Sequence, residues 1–294
     1  MAAQLIYHSD DLGATPKITL RILQAWEGGL LDGFSIFANS DCFEDIARCL
    51  ESRPQQPARI SAHLNLWEGK PVLPSSEVPR LVDQDGFFNV EFLGILKQYL
   101  LSPPSEQKAI LNEVEREWRA QIEKIISAIK PRTLSAVDGH IHIHMLPFLF
   151  RVAAQLAAEY RIPEIRIVTE PFYLSGDRSE YACRHFLINV IKHIILQVCV
   201  PFNLKTAEIK GLKHPDAMLG VLYSGMMSRS NILAGVNSAE NRGANIIEIL
   251  MHIGRAEASE LARWKGDKNK AGFVLDSHRD QEYTELLNLK KEKA

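Results

Sequence analysis

Between Val137 and Met145 the chain reads Asp138-Gly139-His140-Ile141-His142-Ile143-His144. On an extended backbone side chains alternate between faces, so this spacing predicts three imidazoles on one side and both isoleucines on the other. Imidazoles buried without partners cost free energy, whereas a divalent cation or a bound substrate uses their nitrogens directly. The run therefore points to a metal site.

Three further places join an apolar, strand-like run to residues able to do chemistry. Leu5-Ile6-Tyr7 leads into His8, Ser9, Asp10 and Asp11; Ile60 to Ala62 ends at His63; Ile246 to Met251 delivers His252. In parallel α/β folds such groups collect at the carboxyl ends of strands, which fits one shared site. One carboxylate and two imidazoles with positions left open is a known arrangement for catalytic divalent metals, and Asp11, His63 and His140 would supply it. A carboxylate outside that set can take a proton from coordinated water, which gives Asp10 the part of general base. Plainer uses exist for each residue. Asp10 and Asp11 before a glycine could form a turn or helix cap, His63 could be a satisfied core or surface histidine, and His252 could bond a neighbouring carbonyl. Trp67, close to His63, belongs to the core or stacks on a sugar ring.

The elements that must position these groups alternate between strands and helices, the signature of parallel sheets and barrels. A helix is predicted over Pro16 to Trp26, capped by Thr15 and stopped at Gly28-Gly29, then a strand near Phe34 to Ala38 and a helix near Phe43 to Leu50. The plainest helix runs from Ser105 to Ile129, where Ile110, Val114, Trp118, Ile122, Ile125, Ile126 and Ile129 form a stripe ended by Pro131. Further helices are predicted near Phe148 to Tyr160 and Asn231 to Asn241, and a short strand at Ile165 to Val168. Residues 71–104, with several prolines and Gly86, read as an irregular insertion or lid, and 172–230 as a second irregular region.

With 294 residues, 46% of them hydrophobic, the chain has ample material for a core, and one domain over 1–294 is expected. Thirty-four basic and 36 acidic residues leave a net charge of -2, with no basic stripe that would track phosphates, so no nucleic-acid partner is expected. Cys42, Cys49, Cys183 and Cys199 form no metal or disulfide pattern and read as packing residues in a reduced compartment. Met1 to Tyr7 lacks the pattern of a signal peptide, which makes the cytoplasm the expected location. The apolar stretch from Phe186 to Val200 carries a polar stripe of Asn189, His193 and Gln197 beside Lys192. It reads as too short and too polar to span a bilayer, hence as a mostly buried helix, with a dimer face or a contact with lipid-linked substrate as the alternatives.

Taken with their order and spacing, these motifs resemble the YdjC-like carbohydrate deacetylases, which include the chitooligosaccharide deacetylases. The likeness rests on His8-Ser9-Asp10-Asp11-Leu12-Gly13, on His63-Leu64-Asn65-Leu66 followed by Gly69-Lys70-Pro71, on Asp138 to His144 with Met145 and Pro147, and more weakly on Met251-His252-Ile253-Gly254. The resemblance covers Leu5 to about Leu287. It implies an α/β fold, an irregular parallel (β/α) barrel of the deacetylase type, and removal of N-acetyl groups from an acetylated amino sugar with release of acetate. It places the ligands of one divalent metal, zinc or magnesium, on Asp11, His63 and His140, the base on Asp10 and the proton-donating histidine on His252. A homodimer is a family-level expectation. Leu12, Gly139 and Ile253 stand where phenylalanine, serine and proline are common in the family, and the last change bears on the turn that aims His252. His142 and His144 match family positions without a ligand's role.

Two other readings remain open on the residues alone. One is a metal hydrolase of the amidohydrolase or phosphoesterase kind, although their His-x-His motif usually lies on the first strand. The other is a sugar-binding protein on the same scaffold without turnover.

Overall fold

A computed structural model describes residues 2–175, 184–268 and 270–291. In chain order the elements are β1 (Gln4–Leu12), α1 (Pro16–Glu27), β2 (Gly33–Ile36), α2 (Phe43–Glu51), β3 (Arg59–Leu64), α3 (Phe92–Leu101), α4 (Pro104–Ile129), β4 (Ala136–Gly139), α5 (Pro147–Glu159), β5 (Glu164–Ile165), α6 (Arg184–Lys210), β6 (Ala217–Leu219), α7 (Arg229–Glu240), β7 (Ile246–Met251) and α8 (His278–Lys291).

Among the described residues seven strands pair in parallel, in the order β5-β4-β3-β2-β1-β7-β6. The sheet curls until its ends approach: Lys213, just before β6, bridges Glu164 of β5, with the Lys213 amide donating to Pro163 and the Ile165 amide to Lys213. The expected irregular barrel is thus observed as a curled parallel sheet wrapped by helices. Because both faces of the strands are covered, they read as continuous apolar runs, and Ile6, Ile36, Ala62, Val137 and Ile249 are all buried.

Local signals act as expected where the chain chemistry is explicit. Thr15 accepts a hydrogen bond from the Ile18 amide at 3.3 Å, and Pro16 opens α1 behind it. Helix α4 buries Ile110, Val114, Trp118, Ile122, Ile125 and Ile129, leaving Ile126 only partly covered. It also buries Glu117 and Gln121. Glu117 accepts the Val72 and Leu73 amides, and Gln121 exchanges hydrogen bonds with the Asn65 amide and carbonyl. These polar groups pin the chain that follows β3. Segment 71–104 carries a short 3-10 turn at Ser75–Glu77, a bridge between Val82 and Phe88, and α3.

Two sequence expectations fail. The histidine run is not a strand: β4 stops at Gly139, and His140–Met145 form a 3-10 segment in which Ile141 (φ 50°) and His142 (φ 57°) adopt the left-handed conformation. That geometry is rare for a β-branched residue. The three imidazoles consequently fan out instead of sharing a face.

Helix α6 is longer and more exposed than expected. Phe186–Lys210 is long and apolar enough to cross a membrane by length and composition, and Leu187, Ile191, Ile194 and Val198 stand more than half exposed. Of the cysteines, Cys42 and Cys199 are buried and Cys49 is half-buried beside Glu27, all three as free thiols; Cys183 lies outside the described residues.

Candidate metal centre

Every sequence-singled residue of the site arrives from the carboxyl end of a strand: Asp10 and Asp11 from β1, His63 from β3, His140 just after β4, His252 just after β7. In a regular strand Asp10 and Asp11 would point to opposite faces. The β1 to β2 register shifts between Ser9 and Leu12, and Asp11 sits at φ 68° within that irregularity. The bulge turns both carboxylates toward one cavity. Such a conformation costs roughly 1–3 kcal/mol and is typical of positions where function fixes the backbone.

Asp11, His63 and His140 meet in a tight triangle. Asp11 Oδ1 lies 3.3 Å from His140 Nδ1 and 3.7 Å from His63 Nε2, and the two imidazole nitrogens are 3.3 Å apart. Tetrahedral ligands at zinc-like bond lengths stand about 3.3–3.4 Å from one another, so this donor set fits a single small cation. Each donor is held by a further group. His63 Nδ1 donates to Asp138 Oδ1 at 2.6 Å, His140 Nε2 to Glu68 Oε1 at 2.9 Å, and Arg279 donates to Asp11 Oδ2 at 3.0 Å. With those nitrogens donating outward, each ring turns its other nitrogen to the centre, where it would be free to bind a cation, the arrangement that carboxylate partners impose on metal-binding histidines.

The local charge favours a cation. Burial opposes the protonated form of His63, but Asp10 and Asp138 outweigh it and push its pKa up to about 10. Burial likewise opposes protonation of His140, and Glu68 and Asp11 raise its pKa nonetheless. A surplus of negative charge that would protonate both rings is also a field in which a divalent ion displaces those protons.

A second group, His8, Asp10 and Asp138, also has the spacing for a metal. There the Arg166 guanidinium already lies 2.8 Å from Asp10 Oδ2 and 3.1 Å from Asp138 Oδ2, with its Nε on Glu248 at 2.7 Å. Its positive charge takes the place a cation would need. Burial alone would raise the Asp10 pKa, yet Arg166, His63 and His8 hold that carboxyl well below its ordinary range. Asp10 is therefore kept ionised, with Ser35 Oγ donating to its Oδ1 at 3.1 Å.

His252 lines the same cavity, of about 350 Å³, as Asp10, Asp11, His63 and His140. Its ring lies edge-on to Phe273, its Nδ1 is buried with no hydrogen-bond partner among the described residues, and burial lowers its pKa to about 4. Trp67 stacks on His140 with ring centres 5.6 Å apart and borders the cavity. His142 also lines the cavity, its pKa held well below the ordinary value by burial. His144 turns away to bond the Arg166 carbonyl at 3.0 Å.

Several participants are not marked as site residues by the sequence alone. Arg166 interrupts the buried run Ile165-Arg166-Ile167-Val168, and a charge in such a run is a signal of a paired ion. Glu68 is returned to His140 by a turn in which Asn65 Oδ1 accepts the Trp67 and Glu68 amides. Lys192 reaches the cavity from α6. Arg279 comes from α8, far along the chain, and nothing local announces it.

The family model for YdjC-like proteins matches residues 4–290. The chain belongs to the YdjC-like family. Among curated relatives it is similar to a carbohydrate deacetylase of Brevibacillus brevis, 31% identical over 160 residues that span 54% of this chain and 58% of that protein. The carbohydrate deacetylases of Clostridium beijerinckii (25% over 232 residues, 78% of this chain and 86% of that protein) and Danio rerio (26% over 259 residues, 87% and 77%) align over more of their length. A solved structure of an Enterococcus faecalis V583 protein named for cellobiose-phosphate cleavage covers 97% of this chain and 95% of its own, with a TM-score of 0.63 and 22% identity. That likeness shows a shared fold within which the YdjC-like chain arranges its own cavity.

Proposed function

We propose that this YdjC-like chain is a metal-dependent carbohydrate deacetylase that hydrolyses the N-acetyl group of an amino sugar to acetate and a free amine. The observation that carries the reading is the Asp11, His63 and His140 triangle, in which both imidazoles are fixed by carboxylates and turn their other nitrogen inward. The relatives named carbohydrate deacetylase supply the substrate class. Because the strand ends of one sheet deliver Asp10, Asp11, His63, His140 and His252, the chain reads as a single catalytic domain.

Asp11, His63 and His140 are the residues that would hold one divalent cation, with zinc or magnesium as the candidates. When bound, such an ion supplies Lewis-acid polarisation of the acetyl carbonyl and acidifies a water. Asp10 accepts the proton of the attacking water. Arg166 keeps that carboxylate ionised and oriented, so it is ready without prior deprotonation. An amine leaves poorly until protonated, and His252 delivers the proton. Its low pKa leaves it neutral at rest, so the proton it passes to the amine is the one that Asp10 takes from the water, both groups lining the same cavity. Trp67 offers an indole face beside His140 for a pyranose ring.

The test is acetate release from N-acetylglucosamine oligomers beside a general phosphatase substrate, with wild type and Asp10→Asn. Acetate release that falls at least about a hundredfold in the variant supports the reading. Phosphate release without acetate, or sugar binding without turnover, would place the chain in one of the two other classes.

A further inference from the structure

Helix α6 is built inside out. Its polar residues face the protein: Asn189 donates to the Ser224 carbonyl at 3.1 Å, His193 to Glu170 at 2.9 Å, Gln197 to Val168 at 2.8 Å and Asn203 to Met145 at 2.8 Å. These bonds fasten the helix across loops of the barrel rim. The opposite face carries Leu187, Ile191, Ile194, Val198, Phe202 and Ile209 at helical steps, each between 52% and 71% exposed. A continuous stripe of this kind on a surface helix marks a contact with something apolar.

Charge along the helix says what that partner is. From Phe186 to Leu204 the one charged residue is Lys192, which borders the cavity, while Lys205 and Lys210 follow in the last turns and Lys213 just beyond. Glu208 is the one acid between Arg184 and Lys213. An apolar stripe flanked by lysines and nearly free of acids has the pattern of a helix lying in the interface of an anionic bilayer. Pairing with a second copy about a two-fold axis would set the basic end of one α6 along a partner helix that offers almost no acid to meet it. Spanning the bilayer is excluded by the four inward hydrogen bonds, which tie α6 to the barrel.

We propose that the exposed face of α6 seats the protein on the surface of an anionic lipid bilayer. Ile188, half exposed on the same side, also lines the cavity with Asn189 and Lys192, so the seated face adjoins the candidate centre. The docking claim stands apart from the deacetylase reading, because its readout is binding and not turnover.

The experiment is co-sedimentation of the full chain with vesicles of phosphatidylcholine alone and with added phosphatidylglycerol, with the mass in solution measured by light scattering. Wild type is expected to bind the anionic vesicles, more weakly at high salt, and Ile191→Gln/Ile194→Gln/Val198→Gln to bind at least about tenfold less. None of these three residues lines the cavity, so acetate release from a soluble oligomer is expected to persist in the variant. The single change Val198→Gln, expected to weaken binding several-fold, serves if the triple variant does not fold. Absence of binding to either vesicle, or equal binding by wild type and variants, overturns the proposal. A dimer that the triple change splits, with no vesicle binding, assigns the face to a second copy instead.

Discussion

His63 Nδ1 donates to Asp138 Oδ1 at 2.6 Å, and that bond decides which nitrogen of His63 faces Asp11 and His140. Asp138 supplies no donor atom to the triangle and does not line the cavity, so its influence on the centre runs through the tautomer and orientation of His63. Asp138→Asn is expected to weaken divalent-metal affinity by about 10–100-fold, since an amide can present its N–H to the ring and reverse the tautomer. Competition with a chromogenic chelator reads this, and unchanged affinity would show that His63 is oriented by packing alone.

Arg166 holds three buried carboxylates, Asp10, Asp138 and Glu248, and its removal leaves them uncompensated. Arg166→Leu is expected to lower unfolding free energy by about 3–5 kcal/mol in denaturant titration. Arg166→Lys keeps the charge but not the fork, and should recover part of the loss. A variant as stable as wild type would contradict the role given to this network.

Much of this arrangement is legible in the sequence, and the illegible part has physical causes. Strand ends at Asp11, His63 and His252 can be read because parallel strands buried on both faces show as apolar runs that stop abruptly. Thr15-Pro16 marks the start of α1 for the same local reason. The histidine run misleads because alternation alone cannot reveal left-handed residues at Ile141 and His142, which the surrounding packing imposes. Helix α6 misleads because its polar stripe faces inward, against the usual rule. Arg166, Glu68 and Arg279 join the site through contacts distant in sequence, as does the pairing of Asp11 with Arg279, 268 residues away.

Gly139 is required by a close approach. A Cβ at that position would stand 2.8 Å from His144 Nδ1 and 3.1 Å from His144 Cβ, so the serine common in the family would displace this imidazole from the Arg166 carbonyl. Gly139→Ala is expected to cost about 1–3 kcal/mol, as overpacking does. Thermal and denaturant unfolding of the purified variant check it.

Glu170 and Glu282 give stability a pH dependence of definite sign. Burial pushes each carboxyl up to about 7, against the backbone amides that each accepts from Gly220 to Leu222 and from Met227 and His252 respectively. Because the folded pKa lies above the unfolded value of about 4.5, their protonated forms favour the folded state. Stability from this source is complete below about 4.5 and lost as pH rises through about 7. Glu282→Gln should flatten the slope of unfolding free energy over that window relative to wild type. An identical slope would mean that Glu282 titrates normally.

The central claim is that Asp11, His63 and His140 hold one cation, and calorimetric titration of the metal-stripped protein with zinc tests it most directly. The expected result is one site per chain, proton release on binding that varies with buffer ionisation heat, and loss of that site in His63→Ala and His140→Ala variants that remain folded. Undiminished binding by either variant, or none by the wild type with zinc or with magnesium, would contradict the account.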